Sequence, residues 1–319
     1  MTAPAPDVPA PDVDVFNPTL FTFDPQADYA WRVFDRITIA TVTFNRLEHT
    51  QRLIDSLLRL SQLPFDLLVV DNASEDGTQA WLRGLATAVP SLRVVENPRN
   101  VGKGRALLQI RDLVADGLLI LFDNDIEILS NYWLVHLQKA FHALRLAGSG
   151  TDAALGLRLL NCEEYGFRHA ATRAVLAIPG AANALPRTSY AAASRASGDP
   201  VGTLEEQVVI GWTDFLIGAC MAMPAALFRR IRLEEYYPLK LGGDEAFIMG
   251  ELARLGARAG YIENGPVARH NDWPYSEAKI ALYRKLTRER AVTDLPWLRW
   301  KLRRLAGTVL RRGRPAPPG

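Results

Sequence analysis

Leu118 to Phe122 form an unbroken apolar run, opened by Gly117 and closed by Asp123-Asn124-Asp125. A short apolar run between turn residues is the pattern of a strand buried on both faces of a parallel sheet. Two carboxylates at i and i+2 then stand at the strand's carboxyl end, where open α/β sheets bind ligands. Carboxylate oxygens are hard ligands suited to Mg²⁺ or Mn²⁺, ions usually held by one or two carboxylates together with substrate phosphates. Asp and Asn also close many strands as plain turn formers, so the meaning of the pair depends on its surroundings.

The preceding eighty residues repeat the pattern. Ile37 to Thr43 is β-branched and apolar and stops at Phe44-Asn45-Arg46. Leu53, Ile54, Leu57, Leu58 and Leu60 then recur at helical spacing. Phe65 to Val70 predicts a second strand, ending in Asp71-Asn72-Ala73-Ser74-Glu75-Asp76-Gly77-Thr78, and a helix follows through Leu85. Leu92 to Glu96 predicts a third strand, Asn97 to Gly104 a loop, and Ala106 to Val114 another helix. The run at Leu118 is the fourth strand, and Tyr132 to Leu146 the next helix. Such alternation predicts parallel strands with helices on both faces, and every strand-ending loop then opens on one edge.

The chemistry collected there suits a nucleoside diphosphate. Asp71 and Asn72 can hydrogen-bond a pyrimidine or a ribose, Arg46 and Lys103 can approach phosphates, and Gly102 and Gly104 permit close backbone approach. Each also has a plain use: Asp71 and Asp76 as helix caps, Lys103 as solvated surface, Gly102 as a turn. Their convergence on one edge favours a ligand site.

Beyond Leu146 the expected elements are an apolar strand over Ala153 to Leu160 and a poorly patterned stretch from Asn161 to Gly211, expected to hold mobile loops over the site. Asp214 to Pro224 predicts a buried strand running into a short helix at Ala225 to Ile231. Within it Gly218 and Ala219 are small, as a wall close to a sugar requires and as plain packing also allows. Asp244-Glu245 opens a helix ending at Arg254-Leu255-Gly256, and acids there also suit the helix dipole. Tyr261 to His270 predicts a final edge strand.

A net charge of +2 over 319 residues argues against nucleic acid as the main partner, since no overall basic field collects phosphates. Cys162 and Cys220 lack metal spacing and fit a reducing compartment. No signal-like start and no run of eighteen apolar residues is seen, so a cytoplasmic location is expected.

Val42-Thr43-Phe44-Asn45-Arg46, Val69 to Thr78, Asn97 to Gly104 and Phe122-Asp123-Asn124-Asp125 together resemble the successive motifs of family-2 glycosyltransferases. The resemblance runs from about Ile37 to Arg290 and implies a GT-A fold: a Rossmann-like, mostly parallel sheet flanked by helices, acting on nucleotide-activated sugars. It implies a nucleotide-sugar pocket lined by Thr43, Asn45, Arg46, Asp71, Asn72, Asn100, Gly102, Lys103, Asp123 and Asn124. It also implies a Mn²⁺ or Mg²⁺ ion addressed by Asp123, Asp125 and His270. Counting back from Gly256 places Glu245 on the family's general-base position, with Asp244 as the reserve. His270-Asn271-Asp272-Trp273 resembles the His-x-x-Trp of the rhamnosyltransferase-like and galactofuranosyltransferase-like branches, with Trp273 and Gly218 on the sugar or acceptor side.

The implied activity is metal-dependent, inverting transfer from a UDP- or dTDP-sugar to a hydroxyl of a glycan, lipid-linked or small-molecule acceptor. The alternative is a non-catalytic scaffold that keeps nucleotide-sugar affinity. The expected organisation is a loosely packed arm over residues 1–35, a GT-A domain over 36–274 (nucleotide half 36–150, acceptor half 151–274) and a basic helical segment over 275–319. Lys285 to Arg314 holds ten Lys or Arg against Glu289 and Asp294, with Trp297 and Trp300 among them. A basic helix with tryptophans can lie on an anionic membrane surface at the inner face of the plasma membrane, or pack on the domain or a second subunit as a homo-oligomer.

Overall fold

The computed structural model describes residues 31–159, 187–192, 206–213, 216–236 and 244–272. In chain order these form β1 (Ile37–Thr43), α1 (Leu47–Leu60), β2 (Asp66–Asp71), α2 (Thr78–Ala88), β3 (Leu92–Glu96), α3 (Lys103–Leu113) and β4 (Leu118–Asp123). There follow β5 (Ile126–Ile128), α4 (Trp133–Leu146), β6 (Ala153–Leu159), β7 (Arg187–Ala192), β8 (Glu206–Thr213) and β9 (Cys220–Pro224). The last are α5 (Ala225–Arg229), a 3₁₀ turn (Leu233–Glu235), α6 (Asp244–Arg254) and β10 (Arg258–His270).

The apolar runs of the first half form the expected parallel strands. β1 lies between β2 and β4, and β3 flanks β2. The register pairs Thr43 with Asp71, Val42 with Asp123, and Asp71 with Glu96, so the polar strand ends share one edge. Alternate residues serve opposite faces: Ile37, Ile39, Leu118 and Ile120 join one buried cluster, and Ala40, Leu119 and Leu121 the other. Two-sided burial explains why these strands read as continuous apolar runs.

The second half is mixed. β9 runs antiparallel to β4 and β6, β10 runs parallel to β6 and antiparallel to β8, and the order continues β9-β6-β10-β8-β7. The predicted final edge strand is corrected: β10 is interior, between β6 and β8. A register shift between Ile262 and Val267 lets its far end also pair with β5, placing His270 opposite Ile126. The strand predicted from Asp214 begins only at Cys220, and its helix ends at Arg229. The stretch Asn161 to Gly211 holds two strands, β7 and β8, where loops were expected. Trp31 is fully buried, so the core already includes the end of the predicted arm. Residues 1–30, Trp273 and the basic segment 275–319 lie outside the described residues. No helix among those described is long and apolar enough to cross a membrane.

α6 is fixed by a buried carboxylate. Glu251 accepts hydrogen bonds from the Arg232 backbone N–H (3.1 Å), from Arg232 Nη2 (2.8 Å) and from Arg254 Nη2 (2.9 Å). Desolvation alone would raise its pKa, but the hydrogen bonds from Arg232 and Arg254 outweigh it and hold the carboxyl at about 2. A depressed folded pKa contributes stability above the unfolded value of 4.5, lost as pH falls towards 2. The shift corresponds to about 3 kcal/mol. Glu251→Gln should cost that order at neutral pH and flatten this part of the acid limb, as urea melts against pH would record.

Candidate active site

The edge is stitched together by its own polar side chains. Asn45 adopts a left-handed φ of 51°, a conformation Asn tolerates better than most residues. Its backbone N–H donates to Ser74 Oγ (2.9 Å), and its Oδ1 accepts from the Glu75 N–H (2.7 Å), tying the β1 loop to the β2 loop. Asp76 accepts from the backbone N–H of Leu47 (2.9 Å) and of Thr78 (3.2 Å), the first residues of α1 and α2, so one carboxylate serves both helix starts.

Several predicted pocket residues face inward. Thr43 Oγ1 lies 2.8 Å from Thr50 Oγ1 and accepts from Asn124 Nδ2 (3.1 Å). Asn72 Oδ1 accepts from Asn97 Nδ2 (3.0 Å) and from the Val101 N–H (3.3 Å), anchoring the loop before α3. Asn100 Oδ1 accepts from the Gly102 N–H (2.9 Å), where φ is +84°. Gly104 is a packing glycine: a Cβ there would stand 2.3 Å from the Tyr236 ring. These groups shape the edge from beneath.

Asp71 differs. It is fully buried, and Oδ1 accepts from the Ser74 N–H (2.9 Å) and Gln79 Nε2 (2.8 Å). Its Oδ2 has no hydrogen-bond partner among the described residues. An unsatisfied buried acceptor is costly, and a ligand donor would satisfy it. Phe44, 43% exposed, directly follows Thr43, the β1 residue whose register partner is Asp71.

The motif acids are each matched by a cation. Asp125 Oδ2 accepts from Arg46 Nη2 (3.1 Å), which also donates to Asp272 Oδ2 (2.9 Å). The β5–β10 pairing and a backbone bond from the Asn271 N–H to the Asp125 carbonyl (2.7 Å) bring the two loops together. His270 Nε2 lies 3.8 Å from Asp125 Oδ1, both residues being buried. Asp123 Oδ1 accepts from Lys103 Nζ at 2.5 Å, and Asp244 Oδ2 meets the same ammonium at 2.7 Å. Desolvation opposes that charge, but Asp123, Asp244 and Glu245 outweigh it and hold the Lys103 pKa well above its usual value.

Gly218 closes the edge where β4 meets α6. Its carbonyl accepts from the Asp123 N–H (3.2 Å). A Cβ there would meet Asp123 Oδ2 at 2.9 Å and Glu245 Oε1 at 3.0 Å. Asp123 and Glu245, distant in sequence, thus converge on one glycine. Burial, with Asp244 and Asp123 close by, pushes the Glu245 carboxyl up to about 8 despite the opposing pull of Lys103.

The three predicted metal ligands do not form one cage: no group of three acids, His or Cys among the described residues is placed to hold an ion. Asp125 and His270 do fit as a pair. They offer hard carboxylate oxygen and imidazole nitrogen 3.8 Å apart, leaving other positions to phosphates. His270 Nδ1 accepts from the Asp272 N–H (3.3 Å), so an ion on Nε2 would require the other tautomer. Asp123 is directed to Lys103 instead.

Two residues the sequence reading passed over belong here. Asp272 shares Arg46 with Asp125. His49, one turn into α1, lies in the field of Arg46, Asp125 and Asp272; burial first, then Arg46, lowers its pKa. Asp272 follows His270 by two residues and could have been suspected; no sequence pattern marks His49.

Residues 38–177 match the family described as Glycosyl transferase family 2. The fold resembles that of the mannosyltransferase PcManGT from Pyrobaculum calidifontis, solved with GDP-Man and Mn²⁺, at a TM-score of 0.52 and 19% identity. That likeness covers 82% of this chain and 62% of the other. It also resembles GalNAc-T7, solved with UDP, GalNAc and Mn²⁺, at a TM-score of 0.50 and 13% identity, over 83% of this chain and 50% of that one. The chain therefore has the GT-A fold and spans less than two thirds of these structures. No curated protein matches this sequence.

Proposed function

We propose that the chain transfers a glycosyl group from a nucleoside diphosphate sugar to an acceptor hydroxyl, inverting the anomeric carbon. The observation that carries this reading is the meeting of Asp123 and Glu245 across Gly218, where the strand-end edge reaches the acceptor-side helix. In its ionised form, which gains population as pH rises towards about 8, Glu245 accepts the hydroxyl proton as that oxygen bonds to the anomeric carbon. The bond from that carbon to the diphosphate oxygen breaks, and the nucleoside diphosphate leaves with the electron pair. A Mn²⁺ or Mg²⁺ ion bound by Asp125 and His270 would supply positive charge against the leaving diphosphate. Mn²⁺ in the two similar structures supports the choice of ion. Arg46 stands ready beside the same acids.

The unfilled Asp71 oxygen supports a base that presents a ring N–H. Uracil, thymine and guanine do so, whereas cytosine and adenine present acceptors at the corresponding ring nitrogen. Phe44, exposed at the end of β1, suits stacking against such a base. UDP, dTDP or GDP with Mn²⁺ should raise the melting temperature. Saturation at a hundred times the dissociation constant contributes about 2.7 kcal/mol. CDP and ADP should shift it far less, and Asp71→Ala should erase the preference. Equal shifts from CDP and UDP would contradict the assignment. The basic segment from Lys285 to Arg314 supports a peripheral place on an anionic membrane, where the acceptor would be lipid-linked.

A further inference from the structure

We propose that Lys103 is a positioning residue that ties α6 to the motif acid of β4, and is not a ligand of the donor diphosphate. The inference rests on the glycosyl-transfer reading for its role, though its geometry stands without it. Lys103 Nζ reaches Asp123 Oδ1 and Asp244 Oδ2 at 2.5 and 2.7 Å, spending two of its three donors inside the protein. The side chain is 27% exposed, so this is no loose surface arm.

The backbone around it is equally committed. Gly104, the next residue, sits against the Tyr236 ring, where any Cβ would clash. Tyr236 in turn packs on Phe247 of α6, their ring centroids 5.2 Å apart. The start of α3, Tyr236 and α6 thus form one packed unit, with Lys103 as its polar clasp. Without the ammonium, the Asp123 and Asp244 carboxylates it holds would face each other uncompensated beside the Glu245 carboxyl, and like charges in a poorly solvated site repel strongly. By pinning Asp244, Lys103 places the adjacent Glu245 against Gly218, where the acceptor proton is to be taken.

A double-mutant cycle of Lys103→Met and Asp244→Asn in the full chain tests this, read by melting temperature, UDP affinity in the presence of Mn²⁺, and transfer rate. The melting losses should be strongly non-additive, since either change removes the same clasp. Lys103→Met should lower kcat about tenfold or more while leaving the UDP dissociation constant within about threefold. Lys103→Arg, which keeps the charge, should recover part of that kcat, and it serves as the folded variant should the Met form not fold. Additive melting losses would overturn the proposal, as would equal kcat losses in the Arg and Met variants. So would UDP affinity falling about tenfold with UMP affinity unchanged, the mark of a phosphate ligand. The melting cycle needs no turnover, so a wild type that transfers nothing would defeat the enzymatic reading and leave the clasp to be judged separately.

Discussion

Glu245→Gln is expected to cut glycosyl transfer by about a hundredfold to ten-thousandfold, the usual contribution of a general base. The amide keeps the shape of the side chain against Gly218 and removes only its capacity to take a proton. Donor affinity should stay within a few-fold, because the nucleotide-binding features, from Asp71 to Asp125, lie on other elements. Asp244 is the comparison. It is the first residue of α6, is almost fully buried, and its Oδ2 is committed to Lys103. The neighbouring acids therefore make different contacts, Asp244 to Lys103 and Glu245 against Gly218. Asp244→Asn should lose activity through misplacement of Glu245, with its loss shared with that of Lys103→Met. An active Glu245→Gln enzyme beside a dead Asp244→Asn enzyme that still bound donor would move the base to Asp244.

Asp125→Ala should lower turnover by about a hundredfold or more, as when a principal electrostatic contact to a leaving group is removed. The fold should tolerate the change. Arg46 retains Asp272 at 2.9 Å, and the backbone bond from Asn271 to the residue-125 carbonyl does not depend on the side chain. Melting curves should therefore shift little while Mn²⁺ ceases to enhance UDP binding. Wild-type activity should vanish in excess EDTA and return with Mn²⁺. Full activity in EDTA would remove the ion from the account and leave the charge beside the leaving group to protein cations such as Arg46.

The parallel half of the fold was legible because its cause is local: β1, β2 and β4 are buried on both faces and each ends in a polar loop. The acceptor half was not. β5 is three residues long and pairs with His270, more than 140 positions away, so no short window contains the signal. β10 looked like an edge strand because Tyr261 to His270 carries polar residues such as Glu263, Asn264 and Arg269. Both its neighbours, however, are set by distant segments. The site divided the same way. Residue types at the strand ends announced a polar site correctly. Whether a given side chain faces a ligand or a neighbour is a tertiary matter. Thr43, Asn45, Asn72 and Asn124 spend their hydrogen bonds on one another's loops, while Asp71 keeps an oxygen unspent. Lys103 reads as a phosphate contact in sequence because its second carboxylate, Asp244, lies far along the chain.

The most direct test is to incubate the full chain with Mn²⁺ and a panel of UDP-, dTDP- and GDP-sugars, following nucleoside diphosphate release and the anomeric configuration of the liberated or transferred sugar by NMR. The account predicts that at least one donor is turned over, that its sugar emerges with inverted configuration, and that Glu245→Gln abolishes the release. Retained configuration, or no release from any sugar whose nucleoside diphosphate nonetheless stabilises the fold, would contradict it.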